Sequence, residues 1–391
     1  MSRHLHPVAL GGLAALALLH AASPAFAKAE FSVESEVRLG YDVNPFLTAG
    51  NDLASPYVKG SVNPRLTQTD SQGQTTLDAY IDRTEYLKRY GGTNEYGAEL
   101  ATQRKVSPKL SVYGSLRYDS EVIGLGDDEV TGQPTDAVDV NLIGLRRRAD
   151  TYSASGGWEY QATPKDTISA NGGYTMTRYG NSPAGNDTDN IGGSLAWKHA
   201  INARTKIGVR GSVYRIDYDT PGLSTLIMQP TVTFSTLLSA TWKLDLSAGV
   251  TFSDLSVPAP LMDSRKTGFA ASAQLCHTGA KDYFCLFGDR SVSASGVGGT
   301  VVRDQIGVTY RRSLDERLGF VWNGTYARSQ SQAGGIGTRH YVSGRAGLDW
   351  QVARNLKIGA EGRYRDIYGQ GFPVKADIGG DIYATIQLQG R

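Results

Sequence analysis

The last third of the chain alternates between apolar and polar residues at period two over long stretches. From Val374 to Leu388 the even positions hold only Val, Ala, Ile, Gly and Leu, whereas the odd positions hold Lys, Asp, Gly, Tyr, Thr and Gln. Alternation of this kind predicts β-strands with one apolar and one polar face. Strands of about 10 to 14 residues are long for a soluble sheet but match the tilted crossing of a bilayer. The pattern therefore predicts an all-β protein, a transmembrane antiparallel up-and-down β-barrel.

The N-terminal segment has the three parts of a cleavable secretory signal peptide. Arg3 gives a basic start, Val8–Leu19 is apolar and rich in Ala and Leu, and Ala25–Ala27 forms a small-residue cleavage site. The apolar stretch is about 12 residues, too short for the roughly 20 that a membrane-spanning helix requires. We therefore expect residues 1–27 to be a cleavable signal peptide and residues 28–391 to form one barrel in the outer membrane of a Gram-negative cell.

Composition supports a barrel over a helical membrane protein. The mean hydropathy is −0.31 and 20% of the residues are charged, which excludes a bundle of apolar helices, whereas a barrel keeps half of its strand residues in a polar lumen. The chain has 47 Gly and 21 Tyr, and its 40 basic and 38 acidic side chains nearly balance. Such a balance argues against charge-driven binding of nucleic acid.

Short turns recur between alternating strands. They are found in Gln103–Leu110, Tyr160–Ile168, Lys198–Ile207, Tyr310–Leu318 and Trp350–Leu356. Where they are close together the turns recur about every 40 residues, which predicts 16 to 18 strands, with 18 preferred. An even count places both termini in the periplasm, on the side of the short turns. The longer, outward connections are then Asp42–Pro56, Ile123–Arg148, Gly180–Asp189, Val257–Arg265 and Gln330–Arg339.

Aromatic residues lie near both ends of the predicted strands. Several precede the short turns, among them Trp158, Trp197 and Trp350, and tyrosines such as Tyr41, Tyr179, Tyr218 and Tyr364 occur near the far ends. Aromatic side chains collect at both membrane interfaces. The positions predict two aromatic girdles.

The polar faces of the strands predict the residues that line a channel, since a barrel of this size encloses an aqueous lumen. The candidates are Arg117, Lys206, Arg210, Arg303, Arg345, Asp349, Lys357, Glu361, Arg363, Arg365, Asp377 and Asp381. Both signs of charge occur among them, so strong ion selectivity is not expected.

The sequence offers little for catalysis or for a cofactor. Beyond the signal peptide the histidines are His199, His277 and His340, and none stands in a nucleophile motif. There is no phosphate loop, CxxC pair or clustered metal-ligand pattern. We predict that the protein is not an enzyme and holds no cofactor or metal.

The longest predicted loop, Ile123–Arg148, is acidic. Its carboxylates are Asp127, Asp128, Glu129, Asp136 and Asp139. We expect solvated loop charge. The alternative is a divalent cation bound by these carboxylates, within the loop or as a bridge to anionic lipid headgroups, although their spacing does not match a calcium-binding loop. The sequence leaves open whether this loop folds into the lumen.

Cys276 and Cys285 are the only cysteines and flank a predicted periplasmic turn. In an oxidising compartment we expect a disulfide, provided that their Cα atoms come within about 7 Å. Two reduced, buried thiols are the alternative.

A resemblance begins at the end of the first strand. Gly40-Tyr41-Asp42-Val43-Asn44-Pro45-Phe46 is similar to the opening of a family of β-barrel porins found with exopolysaccharide and capsule export loci in Gram-negative bacteria, and Leu314-Asp315-Glu316-Arg317 resembles one of its later hairpins. From the residues alone, the first motif is a strand exit with turn formers.

The resemblance implies an outer-membrane exit for an exopolysaccharide or capsular polysaccharide. Its partners would be outer-membrane lipids, lipopolysaccharide, the polysaccharide and periplasmic export components. Two other functions fit the residues. One is a general diffusion porin for small polar solutes, and the other is a structural or adhesion barrel plugged by its loops.

Overall fold

The computed structural model describes residues 28–123, 140–141, 143–144, 146–180, 186–257, 264–295, 299–331, 337–369 and 374–390. The predicted signal peptide, residues 1–27, lies outside this part of the chain, as does the acidic cluster of residues 127–139. In the described residues there is no helix of the length and hydropathy that a membrane crossing requires.

The described chain forms 18 antiparallel strands closed into one barrel. They are β1 (Lys28–Asp42), β2 (Ser55–Thr69), β3 (Gly73–Tyr86), β4 (Gly91–Ser107), β5 (Leu110–Ile123), β6 (Arg147–Gln161), β7 (Asp166–Tyr179), β8 (Thr188–Ala200), β9 (Thr205–Tyr218), β10 (Ser224–Leu237), β11 (Trp242–Ser256), β12 (Ser264–Thr278), β13 (Asp282–Ala294), β14 (Thr300–Ser313), β15 (Leu318–Ser331), β16 (Arg339–Ala353), β17 (Leu356–Gly369) and β18 (Asp377–Gly390). Each strand pairs with the next, and β1 pairs with β18. The predicted fold is confirmed, at the upper end of the predicted strand count.

The two ends of the barrel differ in their connections. At one end, the turn end, tight turns join the strands at residues 70–72, 108–109, 162–165, 201–204, 238–241, 279–281, 314–317 and 354–355. The five turns predicted from the sequence all lie there, together with both ends of the described chain. The opposite, loop end carries the longer connections, of which residues 43–54 and 124–146 are the longest.

The predicted alternation of faces is present in the closing strand. Ile378 and Ile382 are each 60% exposed on the outside, whereas Asp377 and Asp381, each one position earlier, are buried on the inside. Directly paired residues of neighbouring strands point to the same face of a sheet. The strand pairing therefore gives the facing of each residue in the other strands as well. The barrel has an apolar exterior and a polar interior.

The predicted aromatic girdles hold in part. Trp158, Trp197 and Trp350 lie on the outer face near the turn end, and Tyr41 lies on the outer face near the loop end, all well exposed. Tyr179 and Tyr218, in contrast, point inward, because their strand positions have the parity of the lumen face: Tyr179 pairs with the buried Ala149. Tyr218 donates a hydrogen bond to the Gly299 carbonyl at 2.6 Å.

Cys276 and Cys285 face each other across β12 and β13, with their Cα atoms 4.1 Å apart, and are joined by a disulfide. We expect protein that is unfolded without reductant to show no free thiol, because the bond lies at the turn end, on the predicted periplasmic side. Thiol titration in urea measures this directly, with reduced protein as the control. Two titratable thiols in unreduced protein would contradict the disulfide.

Candidate functional site

The candidate site is the barrel interior. All twelve predicted lining residues occupy its inner face, as the pairs Arg345–Arg363, Lys357–Thr385 and Glu361–Asp381 illustrate. They are unevenly exposed. Arg303, Arg365, Asp377 and Asp381 are buried, and the other eight are half-buried or exposed. A passing solute would reach the exposed Arg117, Lys206 and Arg210, whereas the side chains of Glu361 and Arg363 are only 10% and 11% exposed. Contact of any of these residues with a solute stays a prediction.

The buried charges concentrate where the ends of the chain meet. We call strands β16, β17, β18, β1 and β2 the seam. Arg38 contacts Glu361 at 2.8 Å, Asp381 at 2.9 Å and Glu36 at 3.0 Å. One β1 guanidinium therefore ties the first strand of the chain to β17 and β18.

Arg363 is the second arginine that links strands of the seam. Its guanidinium lies 2.6 Å from Asp42 and 3.4 Å from Asp381, and it donates to the Tyr57 hydroxyl at 2.9 Å. Tyr57 in turn donates to Asp381 at 2.9 Å. Removing a charge from water is costly unless it is paired and hydrogen-bonded. The network meets that condition, so these residues hold the barrel wall together and are not free ligands for a solute.

The segment after β1 turns into the barrel and rests on the seam. The backbone N–H of Asn44 donates to the Asp377 carboxylate at 2.7 Å. The side-chain amide of Asn44 donates to the backbone carbonyls of Lys375 and Thr48 at 2.7 and 3.0 Å. Arg365 donates to the Pro45 carbonyl at 3.0 Å. The predicted strand exit is present, but its residues face the interior because their polar groups find partners there.

Phe46 anchors the same segment by packing. It is fully buried among Tyr57, Tyr86 and Tyr90, with ring centroids 5.4 Å from Tyr86 and 4.8 Å from Tyr90. Aromatic contacts of this kind stabilise beyond the area they bury. The last residue of the motif thus fixes the inward course of the loop.

Gly40, at the start of the motif, makes room for the seam tyrosine. A Cβ atom at this position would lie 2.4 Å from the Tyr57 ring. The absence of a side chain is therefore what allows Tyr57 to lie against β1 and reach Asp381.

A second segment crosses the interior at the loop end. Val140 and Ile143, from the connection between β5 and β6, pack with Leu47 and with Tyr341 of β16. The Asn141 side chain lies 3.3 Å from the hydroxyls of both Ser295 and Ser329. Since β15 and β16 stand across the barrel from β5 and β6, the described part of this loop spans the lumen, which answers the question that the sequence left open.

The tip of the β13–β14 hairpin bends inward as well. Val292 packs with Ile216 and Ile227 of β9 and β10, and the tip residue Gly299 accepts the hydrogen bond of Tyr218. Residues 43–54, 140–141, 143–144, 291–295 and 299–301 together form what we call the loop-end constriction. It narrows the lumen from three sides of the barrel.

Sequence reasoning missed most of this arrangement. Arg38 and Glu36 alternate with Val37 and Leu39, so the strand period that identified other lining residues could have found them. Asn44 and Phe46 belong to the quoted motif but were not assigned an inward position. Nothing in the sequence around Asn141 indicates its contacts, because they join strands distant in the chain.

The histidines are placed at the two rims of the barrel. His199 lies 2.8 Å from Asp166 and His277 lies 3.2 Å from Asp282, both at the turn end. His340 lies 2.8 Å from the Tyr326 hydroxyl near the loop end. Within the described ranges, no three His, Cys, Asp or Glu side chains come together as a metal site would require.

A closed barrel with an apolar exterior, a polar interior and inward-folded loops defines the class of transmembrane β-barrels. No protein-family model matches the chain, and no curated protein matches it in sequence. Neither comparison supports the association with polysaccharide export that the resemblance implies.

Solved structures similar to the chain include proteins of Pseudomonas and Acinetobacter, one of them described as a porin. OccK2 (OpdF) of Pseudomonas aeruginosa is 10% identical, with 93% of this chain and 98% of that chain covered and a TM-score of 0.49. OccAB2 of Acinetobacter baumannii is 9% identical, with 93% and 98% covered and a TM-score of 0.49. A BenF-like porin of Pseudomonas fluorescens Pf-5 is 9% identical, with 93% and 99% covered and a TM-score of 0.48. The fold assignment rests on the strand pairing described above and not on these scores.

Proposed function

We propose that the protein is an outer-membrane channel for the passive passage of small polar solutes. A closed barrel of 18 strands encloses an aqueous lumen, and its apolar exterior requires lipid around it. The turn end would face the periplasm and the loop end the outside. The observation that carries the proposal is the loop-end constriction, which limits the size of a solute in a barrel otherwise wide enough for larger ones.

The open polar groups of the inner wall suit such a solute. Arg117, Lys206 and Arg210 are exposed on the inner face, and Arg345 and Lys357 are partly exposed. Conduction requires contacts that are favourable but weak. Exposed charged side chains meet that requirement better than the buried seam, whose charges are already paired. Because acidic groups such as Asp349 lie on the same face, selectivity by charge is expected to be modest.

The polysaccharide exit implied by the sequence resemblance is the less favoured function. A polymer chain needs a continuous opening through the loop end, where Val140, Asn141 and Ile143 reach across to β15 and β16. The plugged structural barrel remains the outcome to exclude by experiment.

Reconstitution distinguishes the three functions. We expect the purified protein to conduct in planar bilayers, and proteoliposomes to swell quickly in a pentose and slowly in a tetrasaccharide of neutral sugars. A deletion strain should keep its surface polysaccharide and take up small solutes more slowly. Absence of conductance would support the plugged barrel. Loss of surface polysaccharide with normal uptake of small solutes would support the export channel and contradict our proposal.

Releasing the inward segment should widen the channel. We expect Phe46→Ala to raise single-channel conductance and swelling rates for larger sugars, because the buried ring fixes residues 43–54 inside the barrel. Truncation of a buried Phe costs about 3 to 5 kcal/mol, enough to free the loop. Leu39→Ala, on the lipid-facing side of β1, is the control and should leave conductance unchanged. Unchanged conductance in a folded Phe46→Ala barrel would show that this segment does not restrict passage.

A further inference from the structure

The outer face of the barrel carries a hollow between β10 and β15. Its volume is about 650 Å³, and outward-facing apolar side chains form much of its lining, among them Val232, Phe234, Leu246, Ala271, Ala273 and Ile306. Val232 and Ile306 are 61% and 57% exposed. The hollow is therefore open to the surroundings of the barrel and not to the lumen.

The hollow follows from the way β12 and β13 part. Their pairing ends at Ala271–Arg290, and the described residues beyond that pair, Ser264–Ala270 and Ser291–Ser293, are not paired with each other. From this pair toward the loop end, β13 bends into the barrel, and its Val292 packs with Ile216 and Ile227. The wall retreats toward the lumen, and small residues such as Ala271 and Gly288 line the space left outside.

Charged side chains stand at the loop-end edge of the hollow. Arg290, Asp304 and Arg328 are adjacent in the register of β13, β14 and β15, on the outer face. Arg290 and Arg328 lie 3.0 and 3.7 Å from Asp304, so two guanidinium groups share one carboxylate. The Arg290 and Arg328 side chains are 45% and 39% exposed, so both can be reached from outside the barrel. Asp289 also lines the hollow but has the inward parity of β13. The outer face at this edge therefore has an excess of positive charge.

Two other outward arginines near the loop end lack this combination. Arg215 pairs with Asp217 at 2.9 Å, and Arg265 pairs with Asp254 at 3.0 Å. Each of these pairs is balanced, and neither arginine lines the hollow. An excess of positive charge and an apolar hollow coincide at Arg290.

We propose that the hollow binds one phosphorylated acyl lipid, with an acyl chain against the apolar lining and the phosphate against Arg290 and Arg328. Arginine binds phosphate through paired, charge-assisted hydrogen bonds, and an acyl chain fills an apolar hollow by the hydrophobic effect. Placement in a membrane is shared with the proposed function, but the site does not depend on what the lumen conducts.

Native mass spectrometry of the detergent-purified barrel tests the site with three probes. Dioleoyl phosphatidic acid carries both phosphate and chains, dioleoylglycerol carries the chains alone, and inorganic phosphate carries neither chain. We expect one phosphatidic acid to bind per barrel, more tightly than either of the other probes. The double variant Arg290→Gln/Arg328→Gln should weaken this binding about tenfold or more, through loss of charge-assisted hydrogen bonds.

Two further variants separate the phosphate and chain contacts. Ala273→Leu narrows the hollow and should weaken phosphatidic acid binding while both arginines remain. Arg215→Gln removes an outward arginine away from the hollow and should leave binding unchanged. Equal binding to the wild type and the Arg290→Gln/Arg328→Gln variant would overturn the proposal, as would binding of dioleoylglycerol or of inorganic phosphate as tight as that of phosphatidic acid. Conductance of the same samples reports separately on the channel.

Discussion

Ile382→Arg is expected to destabilise the barrel by about 2 to 4 kcal/mol, the cost of a charge on the lipid-facing side near the membrane midplane. Ile382 is 60% exposed on the outer face of β18, between Leu39 and Ala360 of the neighbouring strands. An Arg there finds only lipid and apolar side chains. Urea unfolding in lipid vesicles measures the free energy of unfolding.

The matched control is Gln387→Arg, on the same strand. Gln387 faces the interior and is exposed, so a charge there stays in water and should cost much less. Thr385 has the same inward parity but is buried and donates to Glu36 at 3.0 Å, so an Arg at that position would also be crowded. Equal losses for Ile382→Arg and Gln387→Arg would contradict the assigned faces.

Arg363→Ala is expected to cost about 3 to 5 kcal/mol, because it leaves the buried Asp42 carboxylate without its ion-pair partner. Asp42 and Asp381 are 2% and 6% exposed, and both contact Arg363. Because the seam joins β18 to β1, the loss of Arg363 should also weaken the closure of the barrel. Urea unfolding in lipid vesicles and the temperature at which the folded barrel is lost on gel electrophoresis both report the effect.

Removing the opposing charge together with the arginine should restore part of this stability. The variant Arg363→Met/Asp42→Asn keeps the volume and removes the unpaired carboxylate, so its loss should be smaller than that of Arg363→Ala. Arg215→Ala breaks a solvent-exposed pair with Asp217 and should cost no more than about 1 kcal/mol. Similar small losses for Arg363→Ala and Arg215→Ala would show that the seam network does not hold the barrel closed.

The strand period determined the fold. In Val374–Leu388 the alternation assigns each side chain to lipid or lumen without any tertiary information, because successive residues of a strand point to opposite faces. Turn formers then give the hairpins, and repeated hairpins of this length close only as a barrel. The strand count, the inner face of the twelve lining residues and the longer connections all follow from this local chemistry.

Tertiary structure decided which of those inward residues are accessible. Asp377 and Gln387 share the inward parity of β18, yet the first is buried under Asn44 and Arg365 and the second is exposed. That difference depends on where residues 43–54 lie, and their position depends on partners more than 300 residues away in the chain.

The same reason explains why the loop-end constriction and the outer hollow could not be predicted. Asn141 meets Ser329 across the lumen, and Val292, which lies beyond the last pair of β12 and β13, packs with Ile227. Period and turn chemistry act between residues close in sequence or in register, whereas these contacts form only once the barrel has closed and brings distant strands face to face. The sequence thus determined the wall of the barrel, and the closed structure decided how its mouth is narrowed.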